Sequence, residues 1–126
     1  MKDCKLKKMF DLRNSFIAEM QEAYEGSYPP LPVDLSAKQS QQFCRDLALR
    51  GVEEMFEALQ HLKNWKPHRM TEVTDTIDKE EFLEEIVDAF NYFFSLLITV
   101  GFDEKDLHEA YLRKDNIIRE RLRNGY

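Results

Sequence analysis

Apolar residues recur at helical intervals along most of this chain, and no stretch shows the strict alternation expected of a half-buried strand. From about residue 5 to residue 25, Leu6, Met9, Phe10, Phe16, Ile17, Met20 and Tyr24 follow helical spacing, and Gly26 marks the stop. The segment SYPPLPVD reads as a loop, because Pro29, Pro30 and Pro32 cannot sustain a helix. A second helix is predicted from near Ser36, which has Gln39 three positions on in the manner of a capping box, to about Asn64, ahead of Pro67. Gly51 lies in its middle. An interior glycine costs a helix about 1 kcal/mol relative to alanine, so Gly51 reads either as a point of close helix approach or as a tolerated interruption.

Residues 66–77 form a polar, Thr-rich connector, and Asp78 with Glu81 predicts a capped start for a third helix that ends at Gly101. Its sequence, EEFLEEIVDAFNYFFSLLITV, is apolar nearly all round, the pattern of a helix buried inside a bundle or between subunits. Asp103 caps a fourth helix that runs to Asn124, before Gly125. The expected fold is therefore all-α and four-helix bundle-like, a single domain over residues 1–126. A helical chain this short closes only a modest core alone, so the apolar third helix implies an oligomer, a homodimer or a homotetramer.

Composition narrows the functional classes. With 43% hydrophobic residues and nine Phe the chain has the material for a packed core. A net charge of −6 argues against coating duplex DNA or an anionic membrane, so neither a nucleic-acid nor a membrane partner is expected. Cys4 and Cys44 have neither disulfide-framework nor zinc-site spacing, which fits reduced thiols in a cytoplasm. The N-terminus MKDCKLKKMF is too charged for a signal peptide. His61, His68 and His108 show no metal-ligand spacing with cysteine and read as incidental.

The informative feature is a pair of acidic signatures, Glu54-Met-Phe-Glu57 on the second helix and Glu85-Ile-Val-Asp88 on the third. Three-residue spacing puts both carboxylates of a pair on one helix face. Two such helices packed antiparallel would aim four carboxylates at one spot, where they repel one another unless a cation lies among them. Hard oxygen donors suit Mg2+, with Mn2+ as an alternative. On the third helix the polar stripe continues through Tyr92, Ser95 and Thr99, and on the second it comprises Arg50, Glu54, Glu57 and His61. From spacing alone the acids read either as a metal site or as a structural charge network.

The arrangement Glu53-Glu54-x-x-Glu57 followed by Glu85-x-x-Asp88 resembles the signature of the all-alpha nucleoside triphosphate pyrophosphatases, the superfamily of MazG and the dimeric dUTPases. The likeness covers roughly residues 5–126 and leans toward the dimeric dUTPase and phage dCTP/dUTP pyrophosphatase branch, whose ending Lys114, Arg121 and Gly125-Tyr126 match. That branch has an Asn four residues after the Lys, where this chain has Ile118, with Asn116 nearby as a substitute. Asn91 stands in place of a customary His, and Arg13 in Phe10-Asp-Leu-Arg13-Asn14 in place of a Gln.

The resemblance implies a magnesium-dependent enzyme that converts a nucleoside triphosphate, dUTP or dCTP first among them, to monophosphate and pyrophosphate. It assigns the metal to Glu54, Glu57, Glu85 and Asp88, with Glu53 as an outer-shell or base-assisting group. Lys114 and Arg121 become phosphate ligands, with ordinary helix-terminal cations as the alternative. Phe10, Arg13, Asn14, Trp65, Asn91 and Asn116 become base or sugar contacts. The resemblance also implies a bacterial cytoplasm, with the protein either cellular or phage-encoded. Two other functions stay open: the same chemistry on a purine or modified nucleotide, and a non-enzymatic helical module that binds a partner protein.

Overall fold

A computed structural model describes residues 4–70 and 77–125. The central part of the Thr-rich connector and the terminal Tyr126 lie outside the described residues. Among the described residues four helices account for the regular structure: α1 (Lys5–Ala23), α2 (Lys38–Leu59), α3 (Lys79–Val100) and α4 (Glu104–Asn124). Among the described residues there is no strand, so the all-α expectation holds. No single helix there is long and apolar enough to cross a membrane. The chain divides into two compact units, one comprising Met1–Val33 with Leu97–Tyr126, the other Asp34–Leu96.

In the first unit, Cys4 caps α1 by accepting the Lys7 N–H on its Sγ at 3.4 Å. Phe10 and Ile17, two turns apart on one face, are its buried residues. The helix ends at Ala23, earlier than the periodicity predicts, because the Ser27 hydroxyl turns back to donate to the Met20 carbonyl at 2.9 Å. The proline loop then reaches the end of α3, where the Val33 N–H donates to the Thr99 carbonyl at 3.0 Å. Gly101 has φ +104°, and a Cβ there would stand 3.1 Å from the Pro32 Cβ, so this turn excludes a side chain twice over. Asp103 and Asp106 form a reciprocal capping box at the start of α4, with bonds of 2.9 and 3.0 Å. Those bonds, led by the Asp106 N–H, hold the Asp103 carboxyl below its usual range.

In the second unit α2 starts two residues later than Ser36, and its cap, Ala37, makes no side-chain bond. The Asp34 carboxylate has captured both the Ser36 hydroxyl (2.7 Å) and the Ser36 N–H (3.0 Å), so the predicted Ser36 cap is spent on a local turn. At the other end α2 stops at Leu59 rather than Asn64. The chain tightens there, with the His61 N–H bonding the Ala58 carbonyl at 3.1 Å and the Leu62 N–H bonding the Leu59 carbonyl at 3.0 Å. Asp78 caps α3 as predicted, its Oδ1 accepting the N–H groups of Glu80 and Glu81 at 3.1 and 3.2 Å. On α3, Leu83, Val87 and Phe90 are exposed in the single chain, so burial inside this chain does not account for its whole apolar surface.

Contacts between α2 and α3 run in opposite chain directions: Arg50 meets Tyr92, a Gly51 Cβ would meet Phe93, and His61 meets Glu85 and Phe82. The two helices of this unit are therefore antiparallel. At Gly51 a Cβ would stand 2.9 Å from Phe93 Cζ. Close packing, rather than tolerance, accounts for this glycine. Gly51→Ala gains about 1 kcal/mol of helix propensity but overpacks Phe93 at a cost of about 1–3 kcal/mol. The expected outcome in urea denaturation is a net loss of stability, reversed in the Gly51→Ala/Phe93→Leu double variant; an additive double variant would refute the close packing.

Candidate metal centre

The antiparallel register brings the two acidic signatures together. Carboxylate oxygens of Glu54 from α2 and of Glu85 and Asp88 from α3 lie within 4.8 Å of one another. Glu54 and Glu85 are half-buried and Asp88 faces solvent, so the group is walled on one side and open on the other. Glu57, a turn beyond Glu54, is exposed and lies outside this triad, but it shares a hydrogen bond with Glu54.

Desolvation pushes the Glu54 carboxyl above its usual range, and the charges of Glu57, Asp88 and Glu85 push it further the same way. Crowded carboxylates favour retaining a proton, and Glu54 and Glu57 lie within hydrogen-bonding reach of one another. A divalent cation relieves the same crowding without the proton. Three oxygens converging from two rigid helices are a donor set for a hard cation that keeps part of its water shell.

Beyond the triad the polar seams of α2 and α3 stay in register. Arg50 pairs with Asp46 at 2.9 Å and donates a hydrogen bond to Tyr92. These three residues line a shallow depression of about 380 Å³ with Glu53 and Glu54. Arg50 was legible in the stripe Arg50-Glu54-Glu57-His61, yet nothing in its spacing distinguished it from a solvated cation. His61, read from the sequence as incidental, stands with Nε2 4.0 Å from Glu85 Oε1. Its signal was the same stripe.

Asn91 is half-buried on α3, one turn past Asp88. Trp65 is 67% exposed, so it is not a core residue. Lys66 Nζ lies 5.8 Å from its ring centroid, and the pair lines a depression of about 450 Å³ with Leu59, Gln60, Leu62, Lys63 and Arg69.

The remaining residues singled out in the sequence belong to the other unit. Phe10 is 1% exposed and serves the α1 core. The Arg13 guanidinium lies 4.4 Å from the Phe16 ring centroid, and the Asn14 amide donates back to the Phe10 carbonyl at 3.1 Å. Lys114, Asn116 and Arg121 are all exposed on α4, with Lys114 and Arg121 two turns apart along one face. Cys4 and Cys44 are both free thiols, and burial pushes the Cys44 thiol up, away from the reactive thiolate.

Comparison with known protein families, with characterised proteins and with solved structures finds no match for this chain.

The raised Glu54 carboxyl has a definite sign in stability. A group that holds its proton more tightly when folded contributes stability below its unfolded pKa, and that contribution is lost as pH rises through the folded value. Metal-free protein is therefore expected to melt lower as pH rises above the normal glutamate range, and saturating Mg2+ is expected to cancel the fall. Glu54→Gln is expected to raise the metal-free melting temperature at neutral pH while weakening Mg2+ binding. A melting curve independent of pH over that range, with chelator present, would contradict the assignment.

Proposed function

We propose that the protein is a divalent-cation-dependent nucleoside triphosphate pyrophosphohydrolase, with dUTP or dCTP as the leading substrates. The observation that carries this reading is the convergence of Glu54, Glu85 and Asp88, from two antiparallel helices, on one solvent-accessible point. A structural charge network needs opposite charges at its centre. The triad itself is all carboxylate, and desolvation with the neighbouring acids raises the Glu54 carboxyl, the kind of perturbation that functional sites carry.

In this reading Glu54, Glu85 and Asp88 hold Mg2+, with Mn2+ able to replace it, and Glu57 completes the acidic set. Bound there, the cation would neutralise charge on the triphosphate and acidify water. The work of the protein is positioning. Helices α2 and α3 set the carboxylates, and Glu53, in the depression beside Glu54, is the group placed to take a proton from the attacking water. Hydrolysis forms a bond from that water oxygen to the α phosphorus and breaks the bond to the pyrophosphate oxygen. Arg50, held by Asp46 and Tyr92, offers guanidinium N–H groups to phosphate oxygens at the edge of the site. Trp65, in the same unit as the acids, is the stacking surface of this reading. Asn91, one turn past Asp88 on α3, is its base or sugar contact, Phe10 is buried in the α1 core and does not fill that role, and the functional state is a homodimer or homotetramer in a cytoplasm.

The decisive measurement is product analysis after incubation with each common dNTP and NTP, with Mg2+ or with a chelator. Monophosphate and pyrophosphate formed only with Mg2+ are expected, and Glu85→Gln is expected to lower the rate at least about a hundredfold, as loss of a group holding transition-state charge does. Hydrolysis unaffected by chelator or by Glu85→Gln would exclude this site as its seat. A preference for purine substrates would move the base assignment but keep the chemistry.

A further inference from the structure

The end of α2 supplies a donor that the all-oxygen triad does not use. In the tight turn that follows Leu59, the His61 imidazole is presented to α3, with Nε2 4.0 Å from Glu85 Oε1. The Phe82 ring stands against that imidazole, 6.3 Å between centroids at 59°, and restricts its orientation. Glu81, one turn before Glu85 on α3, brings a second carboxylate. One ligand atom from each of His61, Glu81 and Glu85 lies within 4.8 Å of the other two. His61 and Glu85 are half-buried while Glu81 is exposed, so the cluster has an apolar wall and an approach from solvent.

This donor set differs in kind from that of Glu54, Glu85 and Asp88. Imidazole nitrogen favours zinc, iron, nickel and copper, whereas magnesium keeps to oxygen. Three protein ligands with a fourth position left to solvent is the ligand count of reactive rather than structural zinc sites. Ligand atoms around a tetrahedral zinc lie about 3.4 Å apart for bonds of about 2.1 Å. The 4.0 Å between Nε2 and Oε1 is about 0.6 Å wider than that spacing.

We propose that His61, Glu81 and Glu85 form a second cation subsite, selective for a divalent transition metal of the zinc type, joined to the all-oxygen site through the Glu85 carboxylate they share. A carboxylate has two oxygens and can serve two cations, so occupation of one site does not exclude the other. Imidazole binds a metal only through a nitrogen without a proton, which assigns the ring proton to Nδ1 and leaves Nε2 to the cation. The subsite depends on His61, Glu81 and Glu85 alone and stands whether or not the protein hydrolyses nucleotides.

The test is a Zn2+ titration of the metal-free full chain, followed by calorimetry and by the ¹⁵N resonances of the His61 ring, beside a parallel Mg2+ titration. Zn2+ is expected to shift Nε2 of His61, and Mg2+ to leave it in place. Glu81→Gln, at an exposed first-turn position, is expected to lose Zn2+ affinity by at least about tenfold while keeping its Mg2+ affinity. His61→Gln is expected to lose Zn2+ affinity equally, with an unchanged helical circular dichroism spectrum. Unmoved His61 resonances, or wild-type Zn2+ affinity in both variants, would overturn the subsite and reduce His61 to an ion-pair partner of Glu85. Either result is independent of the hydrolysis assay, which reads the all-oxygen site.

Discussion

The candidate site depends on the antiparallel pairing of α2 and α3. The spacing of two packed helices is set by the side chains at their contact. Here the residues on the shared face are small where it matters. Gly51 leaves its space to the Phe93 ring, and Ala58 and Ala89 are completely buried in α2 and α3. Bulkier residues at these positions would hold the helices apart, and the carboxylates of Glu54, Glu85 and Asp88 would reach solvent separately. The helix-propensity cost of a mid-helix glycine is offset by what that approach makes possible.

The pairing of the two helices also creates an electrostatic problem. Glu54 is half-buried, next to three other acids, and it holds its proton more tightly than a solvated glutamate. A protein selected for stability alone would have little reason to keep such a cluster, since apolar or paired residues would cost less. The cluster is a group of acids that could hold a cation, and the proposed function rests on that group. The same seam holds Arg50 and Tyr92 at one end and His61 at the other, so basic, acidic and imidazole groups follow one another along the α2–α3 contact.

The individual helices were largely legible in the sequence, and the differences trace to local competition for hydrogen bonds. Asp103 and Asp78 cap their helices as their positions predict, because nothing nearby competes for the same N–H groups. Ser36 fails as a cap because Asp34, two residues earlier, takes its hydroxyl and its N–H. The end of α2 retreats from Asn64 to Leu59 by tightening its hydrogen-bond pattern, a change that periodicity does not register. The apolar periodicity of α3 was real, but it did not translate into all-round burial: Leu83, Val87 and Phe90 remain exposed in one chain. Composition reports how much apolar surface a helix has, not what covers it.

The sequence by itself determined the four helices, their main stop signals, and the membership of Glu54, Glu57, Glu85 and Asp88 in helix faces, because these depend on spacing along a regular backbone. It could not decide which of those faces meet. The antiparallel register of α2 and α3, set by Phe93 against Gly51, brings Glu54 to Glu85 and Asp88, leaves Glu57 outside the triad, and carries His61 to Glu85. Two helices have many possible registers with similar periodicity, and only the packing of particular side chains selects one.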